Sequence, residues 1–318
     1  MHKSSEYQAL LGGSFPLKSR WRGYYELTRL HKPIMGNTLM FWPCAWGLTM
    51  AGYANGTSLP ILVYQVLLFG VGSTLLHSAA CVLNDICDID FDKQVERTRS
   101  RPLPSGVVSV YEAWALLILL LLPTVATLIF TNQTAAILGV FGILPLHALY
   151  PLMKRWTYWP QAWLGLAMNW GYIVAWYALT DNASEKAHTI CTFFFGTVCW
   201  TIVYDTIYAC QDREDDVLAG IKSTAVLFGA YVRPILIGFA LAFISLLLYA
   251  GISNGQGAGY FVVSCGGATA HFVWQFWTWK VERPEDGGHK FQANGWTGLV
   301  IWVGMLVDYW VRMSGTIA

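Results

Sequence analysis

Apolar residues gather along the chain into nine runs, at 34–53, 61–83, 110–130, 133–150, 162–180, 188–208, 232–251, 258–278 and 295–312. About 20 mostly apolar residues in a helix cross the hydrocarbon core of a bilayer. Several runs contain Gly, Pro or a polar residue, which membrane helices tolerate. The third and fourth are joined so tightly that they predict an antiparallel pair. The pattern predicts an all-α, polytopic membrane protein of about nine transmembrane helices. No low-complexity segment or linker divides the chain, so 1–318 reads as a single domain. The longest polar stretches are 85–109, 209–231 and 279–294, with a polar arm at 1–33. Loops of that length inside one domain are usually functional.

Composition agrees. Hydrophobic residues make up 55% of the chain and charged residues 12%, about half the share usual in a soluble domain. That excludes a single water-soluble core. The net charge of +1 points to no acidic partner, and no basic run suggests nucleic acid. With alternate loops assigned to opposite sides, 18 of the 20 Lys and Arg fall on one face, leaving Lys186 and Arg312 on the other. The positive-inside rule makes the basic face cytosolic. Three sequons, at Asn55, Asn132 and Asn182, fall on the opposite face. The arm lacks the short apolar core of a signal peptide. It reads as a cytosol-facing segment rather than a mitochondrial presequence. The seven Cys form no CxxC pair and mostly lie in apolar runs, as small buried hydrophobes do.

Two acidic clusters stand out from this background. The second run ends in Asn84-Asp85-Ile86-Cys87-Asp88-Ile89-Asp90-Phe91-Asp92. Asp85, Asp88 and Asp92 are spaced i, i+3 and i+7, one face of a continuing helix. Asn84 lies one turn before Asp88. The sixth run ends with Asp205, Tyr208, Asp212 and Asp216 in a similar stripe, with Asp215 beside them. The pairs Asp88–Asp92 and Asp212–Asp216 share a spacing and are offset by 124 residues. That suggests two pseudo-equivalent halves facing one another across a cavity.

Carboxylates on one helix face repel each other, and near a bilayer they are poorly solvated. A divalent cation removes that penalty. Hard oxygen ligands suit Mg²⁺, which is commonly held by one or two carboxylates plus substrate phosphates. Two clusters fit two ions bridged by a diphosphate. Without its closing Glu and Asp-x-Asp-x-Asp-Gly loop, a Ca²⁺ hand is excluded. Lys93, Arg97, Lys154 and Lys222 lie on the same face and could cover the remaining phosphate charge. Aromatic residues, 15% of the chain, could line an apolar cavity and face a carbocation.

At these residues the chain resembles the UbiA superfamily of intramembrane prenyltransferases. Asn84-Asp85-x-x-Asp88-x-x-x-Asp92 is similar to the family's NDxxDxxxD motif, followed by Val95-Glu96-Arg97-Thr98-Arg99-Ser100-Arg101-Pro102-Leu103. Asp205-x-x-Tyr208-Ala209-x-x-Asp212-x-x-Asp215-Asp216 resembles DxxYAxxDxxDD, continued by Gly220-Ile221-Lys222-Ser223-Thr224-Ala225. Tyr150-Pro151-Leu152-Met153-Lys154-Arg155-Trp156-Thr157 resembles the YPxxKRxT loop, and Arg29-Leu30-His31-Lys32-Pro33-Ile34 the RxxKPxG segment before the first helix, where the glycine is displaced to Gly36. The likeness covers about 25–230 and is strongest to the 4-hydroxybenzoate polyprenyltransferase branch.

The resemblance implies helices around a cavity open to the membrane, and Mg²⁺-dependent transfer of a prenyl group from an isoprenoid diphosphate to a phenolic acid. Farnesyl transfer in meroterpenoid biosynthesis is favoured. Asn84, Asp85, Asp88, Asp92, Asp212 and Asp216 are the expected metal ligands. Lys93, Arg97, Lys154 and Lys222 are expected on the diphosphate, and Arg29 on an acceptor carboxylate. Asp205, Asp215 and Tyr208 are expected in the chemistry. A terpene cyclase on the same fold, the ubiquinone-pathway enzyme, and a non-catalytic transporter or scaffold are the alternatives. The endoplasmic reticulum is the expected membrane, with the mitochondrial inner membrane as alternative.

Overall fold

In the computed structural model the described residues are 17–32, 36–180 and 184–317. Among them every regular element is helical. Pro33, Ile34, Asn182 and most of the polar arm lie outside them. We label the long helices α1 (Leu17–Leu27), α2 (Gly36–Asn55), α3 (Leu59–Cys87), α4 (Val110–Thr127), α5 (Gln133–Trp156), α6 (Pro160–Ala178), α7 (Ala187–Ala209), α8 (Val232–Asn254), α9 (Tyr260–Thr278) and α10 (Pro284–Ile317).

Five helical segments are long and apolar enough to cross a membrane: Leu59–Cys87, Val110–Phe130, Gln133–Trp156, Ser184–Ala209 and Thr224–Asn254. The other expected runs fall on α2, α6, α9 and α10, which do not meet that measure by length and composition. The largest departure from expectation is at α10. It begins at Pro284, inside the stretch 279–294 expected as a loop. Proline at the start of a helix gives up an amide that has no partner there anyway, and Glu285 and Asp286 in the first turn complement the positive end of the helix dipole.

The core gathers where α2, α6, α7, α8 and α10 meet, around Trp46, Tyr172, Trp200, Phe193 and Phe243. α2 is buried along most of its length, as expected of a helix that is apolar on all sides. It approaches α6 closely at Gly47, where an added Cβ would stand 2.5 Å from the Tyr172 carbonyl oxygen. α3 and α4 leave long apolar faces exposed, including Leu67, Val71, Leu119 and Leu122. A bilayer satisfies such faces.

Local capping places the polar loops. Ser109 and Glu112 form a capping box that starts α4, and Glu112 also binds Arg20 (3.1 Å) and Tyr24 (3.0 Å), tying α1 to α4. Asn132, one of the sequon residues, caps α5 through Ala135 N and donates to the Tyr177 carbonyl at 2.6 Å. All seven cysteines are free, and Cys44 and Cys265 are buried while Cys191 is exposed.

Candidate active site

The two acidic motifs repeat in backbone as well as sequence. α3 does not run on through the first motif. It stops at Cys87, and a short helix, Ile89–Asp92, restarts after Asp88. α7 likewise stops at Ala209, and Arg213–Leu218 restarts after Asp212. Asp88 (φ −99°, ψ 8°) and Asp212 (φ −105°, ψ 6°) are the two junctions. Both occupy the bridge region, where active-site residues are common. In each motif the amide four residues on, at Asp92 or Asp216, donates to the junction carbonyl at 2.8 Å. The expected single stripes are therefore broken stripes, and the break re-aims the second half of each.

A glycine sets the turn after the second motif. Gly220 (φ 68°) allows the Ile221 amide to reach the Asp216 carbonyl at 2.8 Å and its own amide the Val217 carbonyl at 3.3 Å. This closes the short helix in a left-handed turn that suits glycine. Lys222 then donates its amide to the Lys154 carbonyl (3.1 Å), and Thr224 its amide to Gln161 Oε1 (2.9 Å). Those two bonds pin the second motif's loop onto α5 and α6.

The motifs share one cavity of about 420 Å³, whose walls include Asn84, Asp88, Asp92, Asp205, Asp212 and Asp216. Lys154, Lys222, Arg97 and Arg101 line it too. A second cavity of about 940 Å³ adjoins it, sharing Asn84, Asp205, Tyr208 and Lys154, and reaching Arg29, Asp85 and His147.

Cations already cover several of the acids. Arg97 grips Asp212 with two bonds, Nε–Oδ1 at 2.9 Å and Nη2–Oδ2 at 2.5 Å, and its guanidinium lies 5.5 Å from the Tyr208 ring centre. Arg29 grips fully buried Asp85 through Nη2, at 2.7 and 2.9 Å. Arg101 bridges Asp85 (3.3 Å) and Asp92 (2.8 Å). Asp88 accepts from Asn84 Nδ2 at 3.0 Å and has Lys154 Nζ at 3.7 Å. Burial pushes the carboxyl of Asp88 up, partly offset by Lys154, and pushes that of Asp216 up to about 6, again against Lys154. Both acids thus stand in an environment that favours gaining a further cation.

The donor set fits Mg²⁺. Asn84 Oδ1 is buried and accepts no hydrogen bond among the described residues, beside carboxylates in a cavity that opens to both motifs. Among the described residues no three acids converge tightly enough to cage an ion by themselves.

Of the expected residues, Asn84, Asp88, Asp92, Arg97, Lys154, Asp205, Tyr208, Asp212, Asp216 and Lys222 meet at the first cavity. Asp85 and Arg29 face the second. Lys93 and Asp215 do not join them: both are exposed, and Lys93 pairs with Asp90 at 3.3 Å. Arg101, Tyr150 and Gln161 line the first cavity and were not singled out from sequence. The only sequence signal for Arg101 and Tyr150 is their place inside the motif runs.

The UbiA prenyltransferase family model matches residues 40–299. The chain belongs to that family. A UbiA prenyltransferase, claS of Ampulloclitocybe clavipes, is 43% identical over 303 residues, covering 94% of this chain and 95% of that protein. The mitochondrial 4-hydroxybenzoate polyprenyltransferase of Arabidopsis thaliana is 41% identical, covering 90% and 68%. A solved UbiA homologue from Aeropyrum pernix superposes with a TM-score of 0.72 at 23% identity, over 85% of this chain and 97% of that one. A UbiA homologue from Archaeoglobus fulgidus bound to GPP and Mg²⁺ gives 0.64 at 17% identity, over 92% and 99%. This UbiA-family chain is thus an integral membrane enzyme of the prenyltransferase class. The expected endoplasmic reticulum finds no support in the relatives: those from Arabidopsis thaliana, Schizosaccharomyces pombe and Homo sapiens are named as mitochondrial.

Proposed function

We propose that this UbiA-family enzyme transfers a prenyl group, farnesyl favoured, from an isoprenoid diphosphate to a ring carbon of a phenolic acid. The observation that carries the reading is the convergence of both acidic motifs, Arg97, Lys154 and Lys222 on one cavity beside a larger one that reaches into the helices. The names of the relatives, 4-hydroxybenzoate polyprenyltransferases among them, support an aromatic acceptor.

Asn84, Asp88, Asp92, Asp212 and Asp216 would hold Mg²⁺, two ions in our reading, and Asp85 would contribute once Arg29 and Arg101 release it. Bound there, the metal would neutralise charge on the departing diphosphate. Arg97, Lys154 and Lys222 take up phosphate oxygens. As the C1–O bond breaks, its electron pair leaves with the diphosphate, and the allylic cation faces Tyr208, Tyr150 and other aromatic walls. A ring carbon of the acceptor then forms the new C–C bond. Asp205, which lines both cavities, would take the ring proton and restore aromaticity. Arg29 holds the acceptor's carboxylate in exchange for Asp85. The nine expected runs each cross the membrane in this reading, and the apolar surroundings keep water from the cation.

The test is product formation by membranes containing the chain. They receive Mg²⁺, one of geranyl, farnesyl or geranylgeranyl diphosphate, and a panel of phenolic acids, with mass spectrometry as readout. A prenylated aromatic that disappears with EDTA is the expected result. Terpene formed without acceptor would replace the reading with cyclisation. Failure to consume any diphosphate would refute it.

A further inference from the structure

α5 contains a turn of π-helix at Gly142–His147. Such turns inside α-helices often mark functional positions. The sequence accounts for it. Pro145 has no amide to give the Phe141 carbonyl. Gly142 sits against Trp170, where a Cβ would come within 2.6 Å of the indole Cδ1. Indole N–H groups support the distorted backbone, Trp163 donating to the Leu146 carbonyl and Trp170 to that of Leu138, both at 2.8 Å.

The wider turn sets the direction of His147. Its Nδ1 lies 2.8 Å from the Gly142 carbonyl oxygen, within the same turn. A carbonyl only accepts, so Nδ1 carries the hydrogen, and in the neutral ring Nε2 keeps a lone pair. That Nε2 is buried and has no partner among the described residues, in a residue only 8% exposed. A polar atom so placed is costly unless something donates to it. His77, in the same wall, differs: its Nε2 has Cys81 Sγ at 3.7 Å.

His147 also stands at a junction. It lines both the 940 Å³ cavity, with Asp205 and Lys154, and a smaller apolar cavity of about 80 Å³ lined by Leu68, Phe69 and Leu76. In prenyl transfer the bond forms at C1, where the charged head of the donor meets its hydrocarbon tail. The acceptor ring must therefore sit at that same boundary.

Resting on the proposed aromatic transfer, we infer that His147 Nε2 accepts a hydrogen bond from the hydroxyl of the acceptor ring, orienting the phenol and selecting for it. The interaction holds the ring beside C1 and leaves electron density on the oxygen that activates the attacked carbon.

The test compares 4-hydroxybenzoate with its O-methyl ether as acceptors for the full chain in nanodiscs. Methoxy feeds electrons into a ring much as hydroxyl does, but has no hydrogen to donate. The wild-type enzyme should favour the phenol by about tenfold or more in kcat/KM, the effect of one lost hydrogen bond to a buried atom. His147→Leu should collapse that preference to near unity through the phenol's KM, with the KM for the prenyl diphosphate unchanged. His147→Gln, which can both donate to Gly142 and accept from the phenol, should restore most of it. A wild-type enzyme that takes the ether as readily as the phenol overturns the inference without any variant. So does a His147→Leu enzyme that keeps the preference, which would leave His147 a support for the π-turn alone. If the wild-type enzyme consumes diphosphate but prenylates neither ring nor any phenolic acid of the panel, aromatic transfer itself fails and the inference goes with it.

Discussion

At the level of single residues, the acids divide by what they touch. Asp88 and Asp216 line the shared cavity, where Lys154 is the main charge that offsets their burial. Asp85 is enclosed and bound by two guanidiniums. Removing Asp88 should therefore abolish chemistry while sparing the fold. Asp88→Ala is expected to lose roughly 100-fold or more in turnover, since metal stabilisation of a leaving group is worth several kcal/mol, with little change in melting in detergent. Asp85→Ala is expected to melt earlier. It leaves Arg29 and Arg101 facing a buried gap, a loss of about 3 kcal/mol for a broken buried pair. Arg29 also holds a left-handed backbone, φ 60°, a conformation that costs a non-glycine residue about 1 kcal/mol or more and that its bonds to Asp85 sustain. Arg97→Lys gives a third comparison. A lysine cannot offer a phosphate the planar two-donor fork that arginine does, so titration with prenyl diphosphate should show weaker binding despite the retained charge.

Helices carry the next layer. The acids were legible from sequence because helical spacing repeats every three to four residues, and each cluster shows that spacing twice. What spacing could not show is that each helix breaks at the junction residue, Asp88 or Asp212. Lys93 and Asp215 were selected by neighbourhood to the stripe, and the restarted turns point them outward. Arg101 stands in the same basic loop as Arg97, and a loop without a period gives no sign of which of its arginines turn inward. His147 was hidden because one histidine in an apolar run looks like core, and a π-turn differs from an α-turn by a single residue. The start of α10 was missed because its first turns are polar, although Pro284 with two acids after it is a helix-start signature. Two substitutions probe this layer. Gly47→Ala forces α2 away from the Tyr172 carbonyl and should cost about 1–3 kcal/mol, as overpacking does. Ser109→Ala removes the α4 cap and should cost about 1 kcal/mol. Thermal unfolding monitored by circular dichroism measures both.

For the molecule as a whole, the chain's apolar runs announced an all-helical membrane protein, and the uneven distribution of Lys and Arg predicts its orientation. The acidic motifs, the basic residues around them and α1 then belong to one side. A pair of cysteines introduced into a cysteine-free chain checks this. Asp90→Cys, within the first motif, and Asn55→Cys, at the end of α2, are both at exposed positions. An impermeant maleimide added to sealed vesicles should label one and spare the other, and the reverse after inversion.

The arginine contacts at Asp85, Asp92 and Asp212 also bear on the order in which ligands arrive. An ion that claimed Asp212 alone would strand the guanidinium of Arg97. A diphosphate that approached alone would meet carboxylates of its own sign. Together they exchange partners: the ion takes the carboxylate as the phosphate takes the arginine. Metal and donor are then synergistic, and saturating either one should steepen and shift the titration of the other.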